Sequence, residues 1–333
     1  MEHGGDLADA VARGGGAPSD WLDLSTGINP HAWPVPPHLL SAGLTRLPSR
    51  TDLSRLLAVA REAYGVPESC AVVAAAGTQA LIQVLPRLAG PGRVAVLGPT
   101  YSEHALAWRA AGFAVTEVQT LAAAGGCTHL VVVHPNNPDG RVVSADDLVG
   151  AARECRARGG WAVVDESFAD VRPEVSLVPR LAGEPVVVLR SFGKFFGLAG
   201  LRLGFAIAAP ATAERIARAL GPWAVSGPAL GIGTAALGDA GWAQAMRARL
   251  AREADRLDSV LAGAGLRIVG GTSLFRLVEV PAGEFTAADI HEGLARARIW
   301  VRRFPERPSL LRFGLPPDRA GLDRLAAALP GRR

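Results

Sequence analysis

Residues 191–204 read Ser191-Phe192-Gly193-Lys194-Phe195-Phe196-Gly197-Leu198-Ala199-Gly200-Leu201-Arg202-Leu203-Gly204. The chain has 333 residues and 35 Lys and Arg together, yet Lys194 is its only lysine. Every other cationic side chain is arginine, so an ordinary solvated or snorkelling role gives no reason for a lysine at this one place. Arginine cannot shed its proton and attack a carbonyl, because its pKa stays above about 12. Lysine can, once desolvation or a neighbouring cation lowers its pKa, and the usual product is a Schiff base. Gly193 and Gly197 let the backbone bend close to a ligand. Ser191 and Arg202 are groups that suit a phosphate.

An imine-forming lysine beside phosphate donors points to pyridoxal phosphate, a cofactor that also needs a carboxylate at its pyridine nitrogen. Asp165 closes the apolar run Trp161-Ala162-Val163-Val164 and is the candidate. Alone it would read as a helix cap or a surface charge. The lysine that follows the next apolar run raises it to the partner of the ring nitrogen. Gly77-Thr78-Gln79 opens a helical segment whose free amides can hold the phosphate. Asn137, in the turn His134-Pro135-Asn136-Asn137-Pro138, is placed to bond the ring hydroxyl, although Asn is common in turns for conformational reasons alone. Tyr101 ends another apolar run, where a flat side chain suits stacking on a ring.

The remaining chain reads as α/β. Short, nearly continuous apolar runs at 72–76, 94–97, 130–133, 161–164 and 186–189 suit strands buried on both faces of a parallel sheet. The stretches between them are long enough for crossover helices. Ligands of such sheets bind outside the carboxyl ends of the strands, where the polar residues above all lie. Residues 1–40 are rich in Gly and Pro and read as an irregular arm. Residues 210–263 read as helical. Beyond them, strands at 266–269, 274–280, 299–304 and 310–313, with helices near 286–297 and 317–328, form a smaller α+β domain. The expected division is 1–40 arm, 41–235 large domain and 236–333 small domain. Gly231-Ile232-Gly233-Thr234-Ala235-Ala236 fits a dinucleotide fingerprint but lacks a preceding strand, so it is set aside.

Composition narrows the function. The net charge of +4 comes from scattered arginines, and aromatic residues make up 6%, which argues against nucleic-acid binding. The first residues are polar and do not resemble a signal peptide. No uncharged apolar run reaches the roughly 18 residues of a membrane span. Three cysteines without CxxC spacing and isolated histidines argue against a disulfide framework and a metal site. A cytoplasmic enzyme is expected.

With Lys194, Asp165, Asn137 and Arg202 in place, the chain resembles the fold-type I pyridoxal-phosphate enzymes of the class I/II aminotransferase family. Residues 191–204 are similar to that family's Schiff-base signature, and His134 to Gly140 resembles its Asn-Pro-Thr-Gly turn, with Asp139 where Thr is usual. The resemblance implies a mostly parallel sheet in a large domain, a homodimer, and a substrate carboxylate bound by Arg312 in Leu310-Leu311-Arg312-Phe313-Gly314. His3-Gly4-Gly5-Asp6 and Leu24-Ser25-Thr26-Gly27-Ile28-Asn29-Pro30 are similar to the N-terminal arm of the family's decarboxylating members that serve cobalamin biosynthesis. This implies a phosphorylated amino acid as substrate and loss of its carboxylate. His3, Asn29, Arg302 and Arg312 are the candidates for holding its anionic groups, with Arg303 as the alternative to Arg302. Phe168 and Leu47 stand where relatives often carry tyrosines that serve the cofactor. The competing expectations are an aminotransferase of histidinol-phosphate type and a non-catalytic protein of the same fold.

Overall fold

A computed structural model describes residues 4–41 and 43–331. His3 lies outside the described residues. The strands are β1 (Leu22–Leu24), β2 (Ala71–Ala75), β3 (Arg93–Leu97), β4 (Ala114–Val118), β5 (His129–Val133), β6 (Ala162–Asp165), β7 (Val186–Ser191), β8 (Gly204–Ala208), β9 (Arg267–Thr272), β10 (Phe275–Glu279), β11 (Ile299–Arg303) and β12 (Leu310–Gly314). The chain divides into two compact units, Met1–His31 with Gln244–Arg333, and Ala32–Ala243.

The larger unit is built on a seven-stranded sheet in the order β2-β8-β7-β6-β5-β3-β4. All its strands run parallel except β8, which is antiparallel to both neighbours. Strands β5 to β8 are buried at every position, as expected of strands covered on both faces. Helices Thr78–Leu88 and Ser102–Ala110 pack on the sheet through Leu81, Ile82, Leu85 and Trp108. Helices Arg50–Ala63 and Ala145–Ala157 begin at Ser49 and Ser144, whose hydroxyls accept the Asp52 and Asp147 amides, a standard N-cap. Two strands of this sheet have no counterpart in the sequence reading. The β4 stretch Ala-Val-Thr-Glu-Val is exposed at most positions along the sheet edge, so it lacks a continuous apolar run. The β8 stretch Gly-Phe-Ala-Ile-Ala has β-formers only at Phe205 and Ile207, with glycine and alanine around them, and it is paired on both sides.

The smaller unit holds a five-stranded sheet, β1-β11-β12-β10-β9. Within the expected irregular arm, residues Ala8–Gly14 form a helix, and Leu22–Leu24 pair in parallel with Ile299–Val301. The expected helical stretch 210–263 resolves into helices Pro210–Leu220, Gly227–Leu237 and Ala240–Gly263. The discarded glycine motif lies inside the second of these.

One buried ionic cluster joins the ends of β6 and β7. Arg190 donates from Nη1 to Glu166 Oε2 at 2.8 Å and from Nη2 to Asp170 Oδ1. Glu166 also accepts the Ser176 hydroxyl at 2.6 Å and the Leu177 amide at 2.5 Å. All three charged residues are less than 5% exposed. Removing one member leaves charges buried without their counter-ion, at about 3–5 kcal/mol. Arg190→Met should therefore lower unfolding free energy by about that amount. The combined Arg190→Met, Glu166→Gln and Asp170→Asn variant should recover most of the loss in denaturant titrations. Equal loss in both variants would show that the charges are not the cause.

Candidate active site

Parallel strands bring their carboxyl ends to one edge of the sheet. Asp165 ends β6, in register with Val133 of β5 and Leu189 of β7. Ser191 ends β7 and leads directly into the short helix Phe192–Phe195 that carries Lys194. Lys194 is half-buried, with Nζ 6.0 Å from the centre of the Phe168 ring.

Asp165 is enclosed, at 3% exposure. Its Oδ2 meets His104 Nε2 at 2.8 Å, and its Oδ1 accepts the Ser167 amide at 2.9 Å and the Ser167 hydroxyl at 2.5 Å. Burial is the largest influence on this carboxyl and pushes its pKa up. The hydrogen bond and charge of His104, with the two bonds from Ser167, outweigh it and hold the group below its usual value of 3.8. A carboxylate has roughly four acceptor positions, and His104 and Ser167 supply donors to three of them. His104 and Ser167 were not singled out in the sequence. A histidine in the first turn of the helix after Tyr101 was the available signal, but only the fold shows which strand it faces.

A second cluster surrounds the start of helix Thr78–Leu88. Its N-cap, Gly77, has φ 79° and makes no side-chain cap, so the first amides point outward uncapped. A Cβ on Gly77 would lie 2.7 Å from Arg202 Nη2, and one on Gly204 would lie 2.6 Å from the Thr78 nitrogen. Glycine is needed at both positions because a guanidinium and a backbone occupy the space. Ser191 faces Gly204 across the ladder. Arg202 itself sits at φ 53°, a left-handed conformation that costs a non-glycine residue energy and gathers at functional sites.

Gln79 and Tyr101 belong to one chain of contacts. Gln79 Nε2 donates to Glu103 Oε2 at 3.0 Å, and Tyr101 Oη donates to Gln79 Oε1 at 3.4 Å. The Tyr101 ring meets the His104 ring edge-on at 6.3 Å. Asn136 is fully buried and committed to the scaffold, donating to Pro99 O and Asp139 Oδ1 and accepting from Thr100 Oγ1. Asn137 is half-buried beside it. The residues fit pyridoxal phosphate. A buried carboxylate held in its ionised form suits a protonated ring nitrogen. An uncapped helix start flanked by Arg202 and Ser191 suits a phosphate. Lys194 supplies the amine.

The smaller unit carries its own polar cluster. Arg302 and Arg312 are directly opposite in the β11–β12 ladder, so their side chains share a face. Arg303 pairs with Leu311 on the other face. Arg312 is 7% exposed and donates from Nη2 to the Ser25 carbonyl at 2.6 Å. Burial, then the charge of Arg302, pull its pKa down to about 9, against a smaller upward pull from Asp23. A guanidinium keeps its proton in proteins, so the group stays cationic where it is buried. Asn29 is 2% exposed, and its Oδ1 accepts the His31 amide at 2.8 Å.

Comparisons with known proteins agree with this chemistry. The family model for aminotransferase class I and II matches residues 49–329. A threonine-phosphate decarboxylase of Sinorhizobium sp is 46% identical, covering 98% of this chain and 97% of the relative. The threonine-phosphate decarboxylase of Pseudomonas aeruginosa is 43% identical, covering 99% and 98%. Among solved structures, the histidinol-phosphate aminotransferase of Clostridium acetobutylicum superimposes with a TM-score of 0.81 at 19% identity, covering 92% of this chain and 98% of that one. At that identity the likeness speaks for the fold.

The Asp165 environment generates a pH prediction. A carboxyl held below its unfolded value stabilises the fold above that value, and this stability is lost as pH falls through the folded value. In His104→Phe, burial acts on Asp165 with less opposition, so its folded pKa rises and the lost stability is felt at higher pH. The acid-unfolding midpoint of the cofactor-free protein, followed by circular dichroism, should move upward. An unchanged midpoint would show that His104 does not hold Asp165 ionised.

Proposed function

Since the chain belongs to the class I and II aminotransferase family, we propose that it is a pyridoxal-phosphate enzyme that decarboxylates L-threonine O-3-phosphate to (R)-1-amino-2-propanol O-2-phosphate, a reaction that serves cobalamin biosynthesis. The observation that carries this reading is the Arg302–Arg312 pair. Two guanidiniums on one face of the ladder present donors in the fork geometry that suits carboxylate and phosphate groups. Threonine phosphate brings both a carboxylate and a phosphate. Two relatives named for this enzyme, at 46% and 43% identity over nearly the whole chain, support the same substrate.

In this reading each residue has a limited task. Bound pyridoxal phosphate supplies an electron sink for the pair released when a bond at the substrate α-carbon breaks. Gly77, Thr78 and Gln79 offer amides to its phosphate, with Ser191 and Arg202 beside them. Asp165, kept ionised by His104 and Ser167, would hold a proton on the ring nitrogen. Asn137 would bond the ring hydroxyl and Tyr101 would offer its flat face to the ring. Phe168 supplies an apolar wall without a hydroxyl. Lys194 Nζ would be the amine that holds the cofactor and, once freed by the substrate amine, the proton donor. Arg302, Arg312, Asn29 and His3 would hold the substrate's two anions and so orient the carboxylate. The bond to that carboxylate would break, carbon dioxide would leave, and a proton from Lys194 Nζ would take the vacated position on the α-carbon.

The reaction should release carbon dioxide from threonine phosphate with no 2-oxo acid present. Borohydride should fix the cofactor to the peptide containing Lys194. Amino transfer from histidinol phosphate to 2-oxoglutarate that outpaces carbon dioxide release would replace this reading with a transaminase. Label found only at the N-terminus would remove Lys194 from its role.

We also infer a cytoplasmic homodimer. No helix among the described residues is long and apolar enough to cross a membrane. Cys70, Cys127 and Cys155 are buried and unpaired, in keeping with a reducing compartment. Leu40, Leu44 and Leu47 are 57%, 68% and 68% exposed, an apolar group close together in the chain that favours burial against a second copy. Sedimentation should give a dimer, and Leu40→Asp with Leu44→Asp should weaken it at least tenfold. A fully active monomer would contradict the assembly.

A further inference from the structure

The two glycine-containing segments near the start of the chain meet at one residue, Ser25, which is 1% exposed. Its hydroxyl is used in both directions. It donates to Asp23 Oδ1 at 2.6 Å and accepts the Gly5 amide at 2.9 Å. Its carbonyl accepts from Arg312 Nη2 at 2.6 Å. The same carbonyl is approached by Gly4 so closely that a Cβ there would lie 2.3 Å from the oxygen. Gly5 adopts φ +93°, which favours glycine. The next residue is gripped as well, because a Cβ on Gly314 would lie 2.3 Å from the Thr26 carbonyl oxygen. Gly4 and Gly5 on one side, and Arg312 and Gly314 on the other, thus close on Ser25 and Thr26.

We propose that Ser25 is a positioning residue for anion recognition: its hydroxyl and carbonyl lock the Gly4–Gly5 turn and the Arg312 guanidinium to one another. The inference rests on the reading above that Arg312 takes an anion of the substrate. A bound anion fixes the guanidinium, the guanidinium fixes the Ser25 carbonyl, and the hydroxyl of the same residue fixes the N-terminal turn. Asp23 completes the device. It orients the Ser25 hydroxyl through its carboxylate and supplies the nearby negative charge that Arg312 feels without substrate.

A Ser25 that served stability alone would lower the melting temperature and leave substrate affinity untouched. The test uses the full chain loaded with pyridoxal phosphate, as wild type, Ser25→Ala, Ser25→Thr and Gly4→Ala. For Ser25→Ala, the KM for threonine phosphate should rise about tenfold, the scale of one lost hydrogen bond. Its kcat should stay within about twofold, because the groups at the reacting carbon are unchanged. Backbone amide exchange over residues 4–13 should quicken by a similar factor, and added threonine phosphate should no longer slow it. Ser25→Thr, which keeps the hydroxyl, should recover part of the KM. Gly4→Ala should behave like Ser25→Ala, and it decides the question should Ser25→Ala fail to fold.

Wild-type KM and exchange in the folded variants would overturn the proposal, as would a fall in kcat at constant KM. A wild type that releases no carbon dioxide would refute the proposed reaction instead. The latch would then be judged by the exchange of residues 4–13 with and without threonine phosphate or inorganic phosphate. Unchanged exchange in Ser25→Ala and Gly4→Ala would overturn it there too.

Discussion

A carboxylate enclosed by protein must be compensated, and the larger unit is arranged around compensating Asp165. Burial opposes its charge, and the answer is assembled from three places in the chain. His104 comes from the helix after β3, Ser167 from the turn after β6, and the strand end itself from pairing with β5 and β7. The outcome is a buried group held in its ionised form. Such a group favours a cationic ring nitrogen more than any surface carboxylate can, since little water competes for it.

The residue after Asp165 serves the opposite face. Consecutive residues at a strand end point to opposite sides, so Glu166 turns away from His104 and towards Arg190. Arg190 in turn immediately precedes Ser191. The scaffold contacts and the chemical contacts of β6 and β7 are therefore one residue apart on each strand. Buried ion clusters of this kind contribute little net stability, and their best-attested use is to specify register. Here the register is that of the two strands carrying Asp165 and leading to Lys194.

The smaller unit solves the reverse problem. Arg312 is a buried cation placed opposite another cation, with a main-chain carbonyl as its neutral partner. That carbonyl ties the guanidinium to the N-terminal segment, and Asp23 adds an opposing negative charge. Each unit thus buries one charge at its candidate site, negative in one and positive in the other, and each matches the charge of what it is proposed to receive.

Much of this was legible before any coordinates. A single lysine among many arginines marks chemistry, because only one of the two side chains can lose its proton. Apolar runs that end in polar residues mark a parallel sheet and the edge where its ligands bind. Strand β4 escaped because edge exposure breaks its apolar run, and β8 because glycine and alanine, weak β-formers, make up most of its apolar run. The helix Ala8–Gly14 and the pairing of Leu22–Leu24 with β11 escaped because a parallel partner almost 280 residues away leaves no local trace. By itself, the sequence determined the residue types that can carry the reaction, the alternation of elements that puts them at strand ends, and the family. Only the tertiary structure decided which histidine meets Asp165, that Arg302 rather than Arg303 shares a face with Arg312, and why Gly4, Gly77, Gly204 and Gly314 lack side chains. Each of those facts is a contact between residues distant in the chain. Composition and local periodicity constrain what a segment becomes, and packing alone constrains what it touches.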